Sequence, residues 1–343
     1  MMRLPGFEYL APTSLSDACR ALADDPGGTR VVAGGTDLWP NMKRRHQQAR
    51  RVVALRRVSG MRGVQHGSGE CRLGAMTTLS DILRDEGLRS AVPGFVQAVG
   101  SISTPVLRNM GTIGGNLALD TRCTYYDQSE EWRRAIGYCM KEAGETCWVR
   151  PTGKDCLAVS STDAAPVLCA LGARVVLESV DGERDLPLPE LYANDGIDYL
   201  RKEPHEIIRE VIVPTREGVR STYWKLRRRG SIDFPVLGVG VAYREATGGE
   251  PRFLRIFLGG LESAPVPAQE AERHLAEGPL DEERIAGAAR LAREHARSYD
   301  NTDFEPGWRL LLVERYVEGA LRQVLGLPEK TRAPGHGSFY LEV

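Results

Sequence analysis

Residues 108–118 read RNMGTIGGNLA, which places three glycines within positions 111–115. Glycine adopts positive φ without strain and lets an anion approach the backbone closely. A second glycine pair, Gly34-Gly35, follows the stretch RVVA at residues 30–33, which reads as a short strand. Each glycine pair alone favours an ordinary tight turn. Two such turns together fit a pyrophosphate better than one would, although neither matches the fingerprint of a Rossmann fold or of a P-loop NTPase.

Length and composition indicate two or three domains. The chain has 343 residues, of which 42% are hydrophobic and 27% charged, so a normal packed core is expected. A formal net charge of −1 gives no electrostatic reason for nucleic acid or an anionic membrane as a partner. The N-terminal residues lack the apolar core of a signal peptide, and no apolar run approaches the roughly 18 residues of a membrane span. We therefore expect a cytoplasmic protein whose thiols stay reduced.

Four of the seven cysteines lie in a polar, irregular insert at residues 119–157. They are Cys123, Cys139, Cys147 and Cys156, and 15, 7 and 8 residues separate them. This spacing matches neither a ferredoxin nor a zinc ribbon, and thiolates suit both zinc and an iron–sulfur cluster. Unligated structural cysteine is a third interpretation, disfavoured because the insert has few apolar residues to bury four thiols. Cys19, Cys71 and Cys169 lie in apolar patterns and are predicted to pack in the core.

The texture of the sequence changes near residues 214–218, where we place a domain boundary. Before it, residues 163–172 read as a helix with Pro166 in its first turn and Gly172 at its end. After it the chain is strand-rich, and helical patterns follow at 267–298 and 307–326. The six histidines are scattered without the spacing of metal ligands, and we expect no catalytic residue in this chain.

Several segments resemble the FAD-binding subunit of molybdenum hydroxylases, the family of carbon monoxide dehydrogenase medium subunits and of the flavin domain of xanthine dehydrogenase. They are VAGGTDL at 32–38, RNMGTIGGNLA at 108–118 and STDAAP at 161–166. The resemblance continues in EII at 206–208, WKLRR at 224–228 and LGG at 258–260. It therefore covers nearly the whole chain in the order of the family.

The resemblance implies an α+β fold. Residues 1–217 would form an FAD-binding domain of the vanillyl-alcohol-oxidase (PCMH) type, with subdomains at about 1–57 and 58–217 and the cysteine-rich insert 119–157 in the second. Residues 218–330 would form a C-terminal α+β domain like that of carbon monoxide dehydrogenase flavoproteins. Residues 331–343 would be a tail.

The resemblance also implies the residues that bind FAD. The first loop would wrap the pyrophosphate with backbone N–H groups, and the second would lie near it and extend towards the flavin. The first loop is Ala33, Gly34, Gly35, Thr36, Asp37 and Leu38; the second is Thr112, Gly114, Gly115, Asn116, Leu117 and Ala118. Thr162 and Asp163 would meet the ribityl or adenosine hydroxyls, with a plain helix N-cap as the alternative for Asp163. Ile208 and Lys225 would lie near the adenine or the isoalloxazine, with a solvated strand position as the alternative for Lys225.

One branch of the family carries a cysteine insert, the β subunits of 4-hydroxybenzoyl-CoA reductases. The segments TRCTYYDQS at 121–129 and GETCW at 144–148 resemble that branch closely. There the four insert cysteines hold a [4Fe-4S] cluster, and the matching residues here are Cys123, Cys139, Cys147 and Cys156. The resemblance, and not the spacing, favours this cluster over zinc.

The implied function is electron transfer. Electrons would pass from reduced ferredoxin through the [4Fe-4S] cluster and FAD to partner chains, a small subunit with two [2Fe-2S] clusters and a large molybdopterin-binding subunit. The large subunit would convert 4-hydroxybenzoyl-CoA to benzoyl-CoA by reductive dehydroxylation, in a dimer of heterotrimers. Two alternatives are an oxidative molybdenum hydroxylase acting on another aromatic or N-heterocyclic substrate and an insert that is a zinc docking module. A stand-alone flavin oxidase is a third.

Overall fold

The computed structural model describes residues 3–246 and 252–328, and the tail predicted at 331–343 lies outside them.

The fold begins with a three-stranded parallel sheet. The strand order is β1-β3-β2. Helix α1 begins after Ser14, whose hydroxyl accepts the N–H of Asp17, and it buries Ala18, Cys19 and Leu22. The elements are β1 (Glu8–Leu10), α1 (Leu15–Asp24), β2 (Thr29–Val32), α2 (Leu38–Lys43) and β3 (Arg51–Ala54).

A five-stranded antiparallel sheet follows, with the order β4-β5-β8-β6-β7. Short helices connect β5 to the glycine-rich segment, and α8 lies in the cysteine insert. The strands are β4 (Val64–His66), β5 (Glu70–Gly74), β6 (Arg174–Ser179), β7 (Gly182–Pro187) and β8 (Ile207–Pro214). The helices are α3 (Leu79–Arg84), α4 (Glu86–Ala91), α5 (Pro93–Ser101), α6 (Pro105–Arg108), α7 (Ile113–Leu117), α8 (Glu130–Ala135) and α9 (Ala164–Leu171).

The C-terminal part is a four-stranded antiparallel sheet with three helices. Its strand order is β12-β11-β10-β9. The helices and this sheet share a second hydrophobic core, in which the Trp224 ring meets the edge of Tyr316 at 5.7 Å. The elements are β9 (Arg220–Leu226), β10 (Leu237–Arg244), β11 (Phe253–Gly259), β12 (Val266–Pro267), α10 (Gln269–Ala276), α11 (Glu282–His295) and α12 (Pro306–Leu325).

Helix α9 packs between the two larger sheets, which explains why all eight of its residues are buried. Glycines on the C-terminal sheet make this close contact possible. A Cβ on Gly240 would overlap the backbone of Val167, and one on Gly259 would lie 2.6 Å from Cγ of Pro166. The helix ends at Gly172 with φ of 79°, as its sequence predicted.

The sheets and helices confirm the predicted α+β class. Cys19, Cys71 and Cys169 are buried, as predicted. Residue 217 falls between β8 and β9, and the division of the chain at that residue stays a prediction. Within residues 3–246 and 252–328, none of the helices combines the length and the hydropathy that crossing a membrane requires.

Candidate functional site

The two glycine loops are in direct contact. A Cβ on Gly34 would overlap the carbonyl oxygen of Met110, and one on Gly111 would lie 3.6 Å from Oγ1 of Thr36. Gly35 has φ of 72°, a conformation that favours glycine. The fold thus brings together two segments that lie more than seventy residues apart in sequence.

The loops differ in how many backbone N–H groups remain available. In the described part of the chain, the N–H groups of Gly34, Gly35, Thr36 and Asp37 donate to no protein acceptor. Successive free amides of this kind form a concave site for an anion. The first loop therefore has the donors that a pyrophosphate needs.

The amides of the second loop are already engaged. Ile113 donates to the carbonyl of Thr77 at 3.1 Å, Gly114 to that of Ala75 at 2.9 Å, and Gly115 to Oγ1 of Thr112 at 3.1 Å. Gly114 packs tightly, because its Cβ would lie 2.7 Å from that of Ala75. A Cβ on Gly115 would meet only Oγ1 of Thr112 at 3.2 Å and Cβ of Ala33 at 3.9 Å. The second loop can therefore contribute shape, and Gly115 is less crowded than Gly111 or Gly114.

Asn116 joins the second loop to helix α9. Its side-chain oxygen accepts the hydroxyl of Thr162 at 2.8 Å and the N–H of Ala164 at 3.3 Å. Asp163 occupies the N-cap position but makes no capping hydrogen bond, so the N-cap alternative for Asp163 is wrong. The carbonyls of Leu117 and Ala118 accept the hydroxyls of Tyr192 and Tyr199 at 3.0 and 3.3 Å.

Asp163 belongs to a buried polar group with Lys225 and Tyr223. Its carboxylate accepts Nζ of Lys225 at 3.0 Å and the hydroxyl of Tyr223 at 2.8 Å. Lys225 also donates to the carbonyls of Ser101 at 3.1 Å and Asp233 at 2.8 Å. Its side chain is 4% exposed, so the solvated-strand alternative is wrong. Burial raises the pKa of Asp163, while the Lys225 ammonium acts in the opposite direction.

We expect Asp163→Ala to lower the free energy of unfolding by about 3–5 kcal/mol, because it leaves the buried ammonium of Lys225 without its counter-charge. Urea denaturation measures the change. Asp155→Ala is the control, since it removes an exposed ion pair with Arg150 and should cost less than about 1 kcal/mol. Equal losses in the two variants would contradict a stabilising role for the buried pair.

Ile208 is separate from this constellation. It lies in β8 opposite Leu177 and packs in the main hydrophobic core. Packing of the sheet is sufficient to explain its position.

The four insert cysteines line one small cavity. The other lining residues are Tyr125, Tyr126, Met140, Lys141, Trp148, Val149 and Ala158. All four cysteines are at most 8% exposed, so the expectation that the insert could not bury four thiols was wrong. Aromatic side chains and Ala158 provide the apolar surface that the insert was expected to lack.

Burial raises the pKa values of Cys123, Cys139 and Cys156. The backbone amides of Tyr125, Lys141 and Ala158, each two residues further along the chain, act on these pKa values in the opposite direction. Burial raises the pKa of the Cys123 thiol to about 12 and that of Cys156 to about 11. Such thiols are neutral near pH 7, and ligation to a metal would be needed to deprotonate them.

In the part of the chain that the structure describes, no three His, Cys, Asp or Glu side chains are placed to hold one metal ion. What the structure shows at the four cysteines is one shared, buried cavity.

The insert also contacts the first glycine loop. Nη2 of Arg122, the residue before Cys123, lies 2.5 Å from Oδ1 of Asp37. The hydroxyl of Tyr126 donates to the carbonyl of His46 at 2.5 Å, and Arg133 donates to that of Arg44 at 2.8 Å. These carbonyls follow helix α2, which begins directly after the loop. The cysteine cavity and the glycine loops are therefore neighbours.

Comparison with known proteins identifies the domains. The family described as "FAD binding domain in molybdopterin dehydrogenase" matches residues 5–216. The chain belongs to this family. The family described as "CO dehydrogenase flavoprotein C-terminal domain" matches residues 221–324. The protein is thus an FAD-binding medium subunit of the molybdenum hydroxylase family, and the predicted fold is confirmed.

Relatives cover nearly the whole chain. The α subunit of the 6-hydroxypseudooxynicotine dehydrogenase complex of Paenarthrobacter nicotinovorans is 26% identical, over 96% of this chain and 98% of that protein. The FAD subunit of nicotinate dehydrogenase of Eubacterium barkeri is also 26% identical, over 93% of this chain and 94% of that protein. A solved carbon monoxide dehydrogenase from Hydrogenophaga pseudoflava has a chain with the same fold (TM-score 0.78, 24% identity, 95% of this chain and 99% of that chain).

Sequence reasoning missed the residues that connect this flavoprotein's two candidate sites. Sequence analysis quoted Arg122 only within the segment at 121–129, and it singled out neither Arg133 nor Lys141. The one available signal for Lys141 was its position two residues after Cys139. Contacts between distant segments decide the roles of all three.

Proposed function

We propose that this chain is the FAD- and [4Fe-4S]-containing electron-transfer subunit of a molybdenum enzyme of the 4-hydroxybenzoyl-CoA reductase type. The observation that carries the proposal is that four buried cysteines line one cavity beside the glycine loops of an FAD-binding domain. A flavin exchanges electrons singly or in pairs and an iron–sulfur cluster one at a time. A chain with both groups is suited to convert between two-electron and one-electron transfer.

The residues of the flavin site fit the proposed FAD. The free amides of residues 34–37 would bind the pyrophosphate, and Gly115, the least crowded glycine of the second loop, would leave room for it. Thr162, Asp163 and Lys225 would provide hydrogen-bonding groups close to the second loop. Asp163 already accepts two hydrogen bonds, so its further contact with a ribityl or adenosine hydroxyl would use remaining lone pairs. Ile208 would contribute apolar surface only.

The cysteine cavity supports a [4Fe-4S] cluster. Four thiols supply the ligands that such a cluster requires, and amide hydrogen bonds to sulfur are one of the means by which proteins adjust its potential. The preference over a zinc docking module rests on the resemblance of the segments at 121–129 and 144–148 to the cluster-binding branch of the family. Four buried thiols around one cavity are also more than unligated packing requires.

The proposal includes the partner chains and the cellular compartment. When both groups are bound, they would supply one-electron transfer from reduced ferredoxin towards a small [2Fe-2S] subunit and a large molybdopterin-binding subunit. The three chains would assemble as a dimer of heterotrimers. The substrate would be converted on the large subunit. A cytoplasmic location is part of the proposal, because a reducing compartment keeps cysteines out of disulfides.

An oxidative molybdenum hydroxylase is the second candidate, because the relatives from Paenarthrobacter nicotinovorans and Eubacterium barkeri are named dehydrogenases. In that case electrons would leave the molybdenum subunit through this chain. The substrate would be another aromatic or an N-heterocyclic compound.

Activity of the complex purified without oxygen, together with its metal content, separates these candidates. We expect formation of benzoyl-CoA from 4-hydroxybenzoyl-CoA with reduced ferredoxin as electron donor, and iron and sulfide in this chain. Hydroxylation of nicotinate with an oxidising dye, and no dehydroxylation, would support the oxidative enzyme. Zinc in place of iron would contradict the cluster.

A further inference from the structure

The cysteine cavity has one charged side chain in its wall among the residues described, that of Lys141. Its side chain is 6% exposed. It lies 5.3 Å from the ring centroid of Tyr126 and 5.4 Å from that of Tyr199, so aromatic faces hold it on two sides. Burial of a charged side chain is unfavourable, so hydrophobic packing alone does not explain the position of Lys141.

Hydrogen-bond counting shows that Lys141 is an ammonium. Its Nζ lies 2.8 Å from Oδ1 of Asp120, 2.7 Å from Oγ1 of Thr121 and 2.5 Å from the carbonyl oxygen of Gly196. The Thr121 hydroxyl gives its own proton to the same Gly196 carbonyl, at 2.5 Å, so it must accept from Lys141. Three acceptors require three N–H donors, which only the charged amine has.

The counter-charge lies behind the ammonium. Asp120 does not line the cavity, and Nε2 of Gln47 holds its other oxygen at 2.8 Å. The pair is therefore oriented, with its positive end towards the sulfur atoms. Lys141 follows Cys139 by two residues and lines the same cavity as all four cysteines.

We propose that the oriented pair of Lys141 and Asp120 sets the reduction potential of the group that the four cysteines hold, with the Lys141 ammonium favouring its reduced form. The inference rests on the proposed function, since it needs a redox-active cluster in the cavity. An added electron increases the negative charge of a thiolate-ligated cluster, and a fixed cation in a poorly solvated site stabilises that charge. The Asp120 carboxylate opposes this stabilisation, but it does not line the cavity.

Redox titration of the intact complex, followed by low-temperature EPR, tests the pair. We expect Lys141→Met to make one-electron reduction of the cluster about tenfold less favourable, a fall of about 59 mV in its midpoint potential. Asp120→Asn should raise the potential, because it leaves the ammonium without its opposing charge. Lys141→Arg should keep the potential near that of the unmodified protein. The matched control is Lys154→Met, which removes an exposed charge from the same insert and should change nothing.

We expect the midpoint potential to shift in opposite directions in Lys141→Met and Asp120→Asn. General damage to the fold would not produce opposite shifts. Shifts of the same sign in Lys141→Met and Asp120→Asn, or equal shifts in Lys141→Met and Lys154→Met, would overturn the inference. If Lys141→Met loses its iron, the sign of the shift in Asp120→Asn decides alone. A preparation of the unmodified complex without iron would instead refute the proposed function, so the two failures are distinguishable.

Discussion

Cys139→Ser is expected to remove the proposed [4Fe-4S] signal of this chain completely. Iron should fall from about four ions in this chain to below one, with an equal loss of acid-labile sulfide. The reason is that a serine hydroxyl is a poor ligand for iron, and three thiols leave one corner of the cluster open. Metal analysis and EPR of the dithionite-reduced complex measure both effects, and the partner's [2Fe-2S] signals serve as an internal reference.

Cys19→Ser is the matched control for this substitution. Cys19 is also buried, but it lies in α1, where its sulfur contacts the carbonyl of Glu178 at 3.6 Å. It should retain full iron content. Iron retained in Cys139→Ser, or lost equally in both variants, would show that the insert does not bind the cluster.

Gly115→Val should abolish the retention of FAD. The β-branched side chain would occupy the place beside Thr112 and Ala33 where the cofactor is expected to lie. Overpacking of this kind costs roughly 3 kcal/mol, which corresponds to about a hundredfold weaker binding. The ratio of flavin absorbance to protein after gel filtration, and titration of the flavin-free protein with FAD, measure the loss.

Gly27→Val provides the same change at a harmless place, because a Cβ on Gly27 has no neighbour within 4 Å. It should bind FAD normally. Gly115→Ala should weaken binding less than Gly115→Val, since it adds only the first carbon. Full flavin content in Gly115→Val would refute the assignment of the second loop.

Much of the fold could be predicted because its signals are local. Helix α9 was expected at residues 163–172 and is observed at Ala164–Leu171, since Pro166 and Gly172 mark its ends within the sequence itself. The glycine loops were also recognisable as short strings. The family match then confirmed the FAD-binding domain as a whole.

The roles of individual glycines could not be predicted. Gly34 and Gly115 look alike in sequence, yet a Cβ on Gly34 would overlap Met110, whereas one on Gly115 would lie no closer than 3.2 Å to a neighbouring atom. The difference depends on how segments more than seventy residues apart approach each other. Asp163 and Lys225 show the same limit, because each was given a solvent-exposed or local alternative and both are buried together.

The hydrogen bonds between the insert and the segment after helix α2 have an energetic consequence. Tyr126 and Arg133 donate to the carbonyls of His46 and Arg44, which lie directly after helix α2. Because α2 starts where the first loop ends, one short helix connects the contacts of the insert to the backbone proposed to bind FAD. Any coupling between the proposed cluster and the proposed nucleotide along this path would be reciprocal, so that each group would change the binding of the other by the same factor.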